Sequence, residues 1–198
     1  MLDVIKIGDF DAKGVNDKKI QIILTHTSRE YENYLNGLRY RYNKTYDRIP
    51  HYVITRNGEI HQFLNDDEYA NYFYDLVTNK NSIIVCLENL GWLQREPLTN
   101  YYVNWIGEKY EGVVYERRWR EYFFWQPYTK EQIDMLVKLC QQICDINHIS
   151  NITIGHNTKI SGAKAYKGIV CRSNFSVIAT DVSPAFDFEK FSNDLMEN

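Results

Sequence analysis

The sequence predicts an α/β fold: a single domain in which a central mixed β-sheet is flanked by helices. Two short runs of mainly apolar, β-branched residues, 19–25 and 82–88, have the length and composition of buried strands. Between them, Asn57-Gly58 joins two β-rich segments, and this dipeptide is a strong hairpin signal because both residues tolerate a positive φ. Helical patterns alternate with these segments, and 198 residues fit one domain with a substantial core.

The composition of the chain excludes several classes of protein. Its net charge of −3 argues against a nucleic-acid groove, whose footprint is clustered positive charge. No run of about 18 or more apolar residues is present, so the sequence predicts no stable membrane insertion. The first residues lack the apolar core of a secretory signal peptide, and the four cysteines have no CxxC spacing. These features fit a protein made in a reducing cytoplasm.

The first half of the chain predicts one helix and one hairpin after the first strand. A stripe of tyrosines and leucines recurs at helical spacing, which is more typical of a buried helix face than of a binding surface. The hairpin arms, 51–55 and 59–64, carry His51 and His61, which we interpret as part of a polar sheet face, with a direct metal role as the alternative. The stripe consists of Tyr31, Tyr34, Leu35, Leu38 and Tyr42.

The second half contains an aromatic-rich insertion at about 91–127, which holds all four tryptophans of the chain. Such side chains usually bury area, and contact with a ligand is the alternative. Thr129-Lys-Glu-Gln132 matches a capping box and predicts a helix that ends near Asn147. Residues 157–180 are expected to form a long loop of the kind that is often functional, and a last helix covers 188–196.

Three side chains at the ends of predicted segments form a candidate metal site: His26, His156 and Asp181. His26 ends the first buried strand, where α/β proteins commonly place chemistry, and His156 follows a short strand. Two imidazoles and one carboxylate form a catalytic zinc set, because three protein ligands leave a fourth position open for water. The spacings are long and form no local motif, so an ordinary polar role for each residue is the alternative.

Six short motifs, in the same order along the chain, resemble those of zinc-dependent N-acetylmuramoyl-L-alanine amidases of the peptidoglycan-recognition type. This family includes phage amidase lysozymes, bacterial muropeptide-recycling amidases and animal peptidoglycan-recognition proteins. Each motif is weak on its own, but the ordered set covers most of residues 20–190. The motifs are Ile23-Leu-Thr-His26, His51-Tyr-Val-Ile-Thr-Arg-Asn-Gly58, Ser82-Ile-Ile-Val-Cys-Leu87, Tyr128-Thr-Lys-Glu-Gln132, Gly155-His156 and Asp181-Val-Ser-Pro-Ala-Phe-Asp-Phe188.

The resemblance implies a Zn²⁺ ion held by His26, His156 and Asp181. It also implies a peptidoglycan or muropeptide partner and hydrolysis of the amide between N-acetylmuramic acid and L-alanine, in which zinc would polarise the carbonyl and activate water. The biological setting that fits best is a phage endolysin, which accumulates in the cytoplasm of the host bacterium and acts on the cell wall after release. A recycling amidase would share that location.

The residues around the implied metal depart from the family pattern. The positions of the family's glutamate and tyrosine catalytic groups hold Cys86 and Pro50, and the lysine two residues before the third ligand is replaced by Ala179. We expect Glu88, which lies on the same strand face as Cys86, to act as the general base. A cation from the long loop is expected to replace the missing lysine. The candidates are Lys164, Lys167 and Arg172.

These departures keep two other functions open. A peptidoglycan-binding module without catalysis would retain the fold and lose the reaction, because fold alone does not specify activity. A structural phage component would use the same fold as an anchor.

Overall fold

The computed structural model describes residues 2–197, which form thirteen strands and four α-helices. The strands are β1 (Ile5–Lys6), β2 (Gly14–Val15), β3 (Gln21–His26), β4 (Tyr52–Ile54), β5 (Ile60–Gln62), β6 (Glu68–Tyr69), β7 (Ser82–Leu87), β8 (Trp92–Arg95), β9 (Tyr102–Val103), β10 (Lys109–Tyr110), β11 (Tyr115–Trp119), β12 (Tyr122–Trp125) and β13 (Gly168–Cys171). The helices are α1 (Tyr31–Tyr40), α2 (Leu76–Asn81), α3 (Lys130–Asn147) and α4 (Phe188–Met196). No helix among these residues is long and apolar enough to cross a membrane.

The central sheet has six strands in the order β1-β5-β4-β7-β3-β13. The pair β4 and β5 is antiparallel and the other neighbours are parallel, so the predicted mixed sheet is confirmed. β3 and β7 lie in the interior of this sheet, and every residue of both strands is buried. Because parallel strands end at the same edge, the residues that follow β3, β7 and β13 meet there, where α/β folds place their sites.

Helices cover both faces of the central sheet, as predicted. On one face, Leu24 packs with Leu136 of α3 and with residues of α4 in the largest hydrophobic cluster. On the other face, Val53 packs with Leu35 of α1 in a second cluster. Successive side chains of a strand point to opposite faces, and this alternation divides the core into two layers.

Helix α3 begins where the sequence predicted. The hydroxyl of Thr129 accepts a hydrogen bond from the backbone N–H of Gln132, which satisfies one of the free donors of the first turn. The side chain of Gln132 does not complete a capping box; its amide donates to the carbonyls of Ile54 and Glu88 at 2.9 and 3.0 Å. Gln132 therefore ties the start of α3 to the ends of β4 and β7.

The aromatic-rich insertion folds into a second sheet of five short antiparallel strands, in the order β10-β9-β8-β12-β11. Trp125 is fully buried, and Trp92 stacks on Tyr122 with ring centroids 4.3 Å apart. Trp105 keeps 46% of its surface exposed. Packing explains part of this insertion, whereas Trp105 remains available for contact with a ligand.

Strand β13 lies inside the stretch that the sequence predicted as a loop. It pairs in parallel with β3, with Cys171 opposite Leu24. The strand has only four residues, too few to show a periodic pattern. The strand predicted at 151–154 is reduced to a single bridge between Thr153 and Ile169, on the far side of β13 from β3. The segment that leads to His156 therefore lies on the far side of β13, one strand away from β3.

His51 joins the hairpin to two neighbouring segments through a neutral imidazole. Its Nδ1 accepts a hydrogen bond from the backbone N–H of Ile84 at 3.0 Å, and its Nε2 donates to the carbonyl of Glu68 at 2.9 Å. The side chain is buried, and burial lowers its pKa to about 3, with Lys19 adding to the shift. His51 is thus a structural residue of the sheet.

We predict that His51→Ala lowers the free energy of unfolding by about 2–4 kcal/mol, because two buried backbone groups lose their partners. In the wild type, the unfolded histidine binds a proton below pH 6.5, whereas the folded form resists protonation down to about pH 3. The wild type should therefore lose stability across this window as the pH falls, by up to about 1.4 kcal/mol per pH unit from this group. Urea unfolding of both proteins between these pH values measures the effect. Equal pH slopes for the two proteins would contradict the neutral imidazole.

Candidate active site

His26 ends β3 at the edge where the parallel strands finish, as the sequence predicted. Its ring is buried, and its Nδ1 lies 3.4 Å from the hydroxyl of Tyr128. A Cβ on Gly91 would come within 3.0 Å of its Nε2, and Gly91 has a φ of +77°, so only glycine suits this close approach. Burial lowers the pKa of His26 to about 4, against the opposing effect of Asp181 and with a further lowering by Arg172. The imidazole is therefore neutral at pH 7.

Asp181 is buried beside the end of β3, where its carboxylate accepts a hydrogen bond from the hydroxyl of Thr25. The Nη1 of Arg172 lies 3.4 Å from each carboxylate oxygen and forms a salt bridge with Asp181. Burial alone would raise the pKa of Asp181, but Arg172, His26 and Thr25 together hold it below its usual value. The carboxylate in turn raises the pKa of Arg172. Asp181 and Arg172 are therefore a charged pair at neutral pH.

His156 does not join this cluster. Its side chain is exposed, and its Nδ1 accepts a hydrogen bond from the backbone N–H of Thr158 at 3.2 Å. Its backbone carbonyl accepts from the Asn174 side chain at 2.9 Å, which holds the loop against the turn after β13. Within residues 2–197, no three His, Cys, Asp or Glu side chains lie close enough together to hold a metal ion. The structure thus brings together two of the three predicted ligands, His26 and Asp181.

A groove of about 390 Å³ opens beside His26 and Arg172. A second cavity of about 630 Å³ shares the Arg172 side chain with it and extends to Asp181. Because 39% of the Arg172 side chain is exposed, part of the guanidinium faces these spaces while the rest contacts the carboxylate. The other prominent residues around the first groove are aromatic or basic. They are Arg29, Arg41, Tyr46, Tyr72, Trp92 and Trp105.

Glu88 does not line the groove beside His26. Its Oε1 accepts a hydrogen bond from the backbone N–H of Tyr31 at 2.9 Å, and its Oε2 accepts from the backbone N–H of Arg56 at 2.8 Å. Tyr31 is the first residue of α1, so the carboxylate satisfies a free donor at the positive end of the helix. These contacts give Glu88 a structural task, and it lines a separate cavity with Tyr110. Its role as a general base stays a prediction.

Of the three basic residues expected to replace the missing lysine, Arg172 is the one that contacts Asp181. The Nζ of Lys164 lies 3.3 Å from Oδ2 of Asp75, and Lys164 lines the second cavity. Lys167 is exposed and directly precedes β13. Catalytic roles for Lys164 and Lys167 stay predictions, whereas the positive charge at Asp181 comes from Arg172.

Uncharged hydroxyl and thiol groups also lie near the ion pair, and the hydroxyl groups were not predicted as part of the site. The hydroxyl of Tyr72 lies 3.1 Å from Oγ1 of Thr25, and Thr25 stands opposite Cys86 in the register of β3 and β7. Burial raises the pKa values of Tyr72, Tyr34 and Cys86, so all three are protonated at neutral pH. These groups come from separate segments. Thr25 precedes His26, and Cys86 occupies the position at which the resemblance implies a glutamate, whereas nothing in the sequence pointed to Tyr34 or Tyr72 as part of the site.

Residues 16–168 match a family model described as N-acetylmuramoyl-L-alanine amidase. The match covers well over half of the chain and includes His26, Glu88 and His156. It ends before Arg172 and Asp181, the ion pair at the edge of the sheet. A search of curated proteins finds no significant match.

Several solved structures share the fold over nearly the whole chain. The N-acetylmuramoyl-L-alanine amidase LysC from Clostridium intestinale URNW aligns over 98% of both chains, with a TM-score of 0.56 and 11% identity. The amidase AmiD from E. coli, solved with anhydro-N-acetylmuramic acid-L-Ala-D-γ-Glu-L-Lys, aligns over 94% of this chain and 61% of its own, with a TM-score of 0.55 and 17% identity. The complex of peptidoglycan recognition proteins LCa and LCx with tracheal cytotoxin aligns over 94% and 93%, with a TM-score of 0.54 and 10% identity.

At these identities, the structural likeness establishes the fold, and the match to the family model establishes descent. The residues that the fold gathers at the sheet edge are partly those that the resemblance implied, since His26 and Asp181 are together and His156 is apart. The chain belongs to the N-acetylmuramoyl-L-alanine amidase family of enzymes.

Proposed function

We propose that this chain binds peptidoglycan muropeptides in the groove beside His26 and Arg172 and hydrolyses the amide between N-acetylmuramic acid and L-alanine. Family membership supports the class of reaction. The position of the groove supports the site, because the groove lies at the edge where the parallel strands end. The observation that carries the proposal is the ion pair of Asp181 and Arg172 beside the buried, neutral imidazole of His26 at this groove.

The lining of the groove suits a ligand that is part sugar and part acidic peptide. Trp105, which is 46% exposed, offers apolar ring surface for a sugar, with the guanidinium of Arg29 5.0 Å from its ring centroid. Arg29 and Arg41 offer planar groups that donate paired hydrogen bonds to the carboxylates of a muropeptide. Two relatives of the same fold, AmiD and AmpDh3 from Pseudomonas aeruginosa, were solved with anhydromuramic ligands of this chemistry.

Amide hydrolysis requires a polarised carbonyl, an attacking water and a proton for the leaving amine. The exposed part of Arg172 can donate hydrogen bonds to the carbonyl oxygen and stabilise the charge that develops there. His26 is a weak base, because burial lowers its pKa to about 4. The chain's own residues therefore provide charge stabilisation more clearly than proton abstraction.

The zinc ion implied by the resemblance requires a third donor beside His26 and Asp181. In this arrangement the donors do not fit, because His156 faces solvent and Arg172 contacts both oxygens of Asp181. A divalent cation at Asp181 would have to displace a guanidinium that already balances the buried carboxylate. Zinc dependence through His26, His156 and Asp181 is therefore unsupported by these side chains, and no step proposed for this site uses a metal.

A second function, binding of peptidoglycan without turnover, is favoured by the same ion pair. The groove and its aromatic and basic lining need no reaction in order to hold a muropeptide. A site that stabilises charge but lacks an evident base can bind its substrate tightly without accelerating the hydrolysis step. Release of stem peptides from murein distinguishes an amidase from a binding module, whereas affinity for murein does not.

The proposed biological setting is phage lysis, with the chain accumulating in the cytoplasm of the host bacterium and reaching the wall after release. The fold shared with the endolysin LysCS from Clostridium intestinale URNW supports it. Timed fractionation of infected cells tests the setting, since a recycling amidase would be found in uninfected bacteria.

We predict that Trp105→Ala weakens binding to purified murein sacculi by about 5- to 30-fold, because the loss of one aromatic contact is worth about 1–2 kcal/mol. Phe123→Ala is a matched control, since Trp105 and Phe123 are each 46% exposed and only Trp105 lines the groove. Co-sedimentation with sacculi measures both variants. Equal losses for the two variants would place the binding surface elsewhere.

We also predict that wild-type protein releases stem peptides with a free N-terminal L-alanine from purified murein, as detected by mass spectrometry. Arg172→Gln should reduce this release by about 100-fold, the usual loss when a donor to the developing oxyanion is removed. Retention on unchanged sacculi would establish the binding module instead. Protein that neither sediments with sacculi nor releases peptides would refute peptidoglycan as the partner.

A further inference from the structure

An arginine, Arg172, follows β13 at the position nearest to His26 at the end of β3. β13 pairs in parallel with β3, with Cys171 opposite Leu24, so Arg172 follows beside the end of β3. His156 follows the bridge at Thr153, which is one strand further away. The residue that β13 brings beside the end of β3 and against Asp181 is therefore Arg172.

Arg172 is bound into this position by its contacts. Its Nη1 lies 3.4 Å from each oxygen of Asp181, whose side chain is only 3% exposed. Thr25 donates a further hydrogen bond to the same carboxylate. Since an ionised carboxylate this deeply buried requires a positive partner, Arg172 serves as the counter-ion of the site.

We propose that the guanidinium of Arg172 takes the place of a metal ion in this domain: it balances buried Asp181 and presents positive charge to a carbonyl or carboxylate oxygen in the groove. The ligand part of this inference rests on the proposed function, and the metal part does not. A guanidinium donates hydrogen bonds in a fixed plane. It cannot bind a water molecule as a ligand and lower its pKa, as a zinc ion does.

If Arg172 stands where a metal ion would otherwise be held, a single residue separates this site from a three-ligand metal site. His26 and Asp181 are two of the three protein ligands that a catalytic zinc site needs, and only the neighbouring strand end lacks a donor atom. Replacing Arg172 with an imidazole would remove the competing charge and supply the third ligand in one change. The arrangement therefore predicts that a single substitution creates a metal site.

The first experiment measures zinc binding by isothermal titration and by the shift in melting temperature with added zinc. We expect no equimolar binding and no shift for the wild type. Arg172→His should bind one equivalent and melt at a higher temperature in zinc, because a metal that binds only the folded state stabilises it. The double variant Arg172→His with His26→Ala should lose this binding. Arg172→Gln, which removes the charge and adds no imidazole, should bind no zinc and serves as the control.

Two results of this titration would overturn the proposal. One is wild-type protein that binds one equivalent of zinc and loses it in His26→Ala. The other is an Arg172→His variant with a native near-UV circular dichroism spectrum that binds no zinc. If Arg172→His does not fold, the wild-type titration still tests the first of these results, and the melting temperatures of Arg172→Gln with and without Asp181→Asn decide the counter-ion role.

A second experiment tests the counter-ion role without any metal. Arg172→Gln leaves Asp181 buried and uncompensated, so the melting temperature should fall by about 5 °C or more. Adding Asp181→Asn should recover part of that loss, because the unpaired charge is then removed. If the double variant's loss in melting temperature equals the sum of the losses of Arg172→Gln and Asp181→Asn, the role of Arg172 as the counter-ion is overturned.

Neither experiment uses peptidoglycan, so the two proposals fail independently. Protein that ignores murein sacculi refutes the proposed function and leaves the zinc and melting results unchanged. Zinc bound by the wild-type protein overturns the role of Arg172 and leaves binding to sacculi unchanged.

Discussion

The buried carboxylate of Asp181 is the constraint on which the rest of the site depends. An isolated carboxylate in the protein interior would cost several kcal/mol, so the fold has to bring it a positive charge and hydrogen-bond donors. Thr25 at the end of β3 and Arg172 at the end of β13 supply them. These partners come from the ends of two adjacent parallel strands. The ion pair therefore links the two strand ends at the edge of the central sheet where the groove opens.

Other polar side chains hold the strand ends and the neighbouring helices together through hydrogen bonds to backbone groups. Glu88 accepts two backbone N–H groups, one of them at the start of α1, and Gln132 donates to two carbonyls at the ends of β4 and β7. His51 bridges two further backbone groups inside the sheet. In each case a polar side chain satisfies backbone atoms that would otherwise lack partners, which gives that side chain a structural task.

The fold of the amidase family carries, in this chain, a site whose residues are set by the order of the segments at one edge of the sheet. The six-stranded sheet and its flanking helices agree with membership of the family. β13 lies between β3 and the bridge at Thr153, so Arg172 is next to the end of β3 and His156 is one segment further away. Which side chains meet at the edge therefore depends on this order and not on the fold class alone.

The sequence by itself determined the elements whose signals are local. Apolar runs predicted β3 and β7, Asn57-Gly58 predicted the hairpin, and Thr129 predicted the start of α3. Ordered motifs, each spanning a few residues, were sufficient for the family.

Only the tertiary structure decided which distant side chains meet. The four-residue strand β13 is too short to be marked by periodicity, and its pairing with β3 depends on contacts across more than a hundred positions of the chain. That pairing sets Arg172 against Asp181 and leaves His156 in solvent. The physical reason is that hydrophobic periodicity depends only on which face of its own segment is buried. Which segment pairs with a strand at a sheet edge depends on the relative stability of alternative pairings, and no single segment determines that.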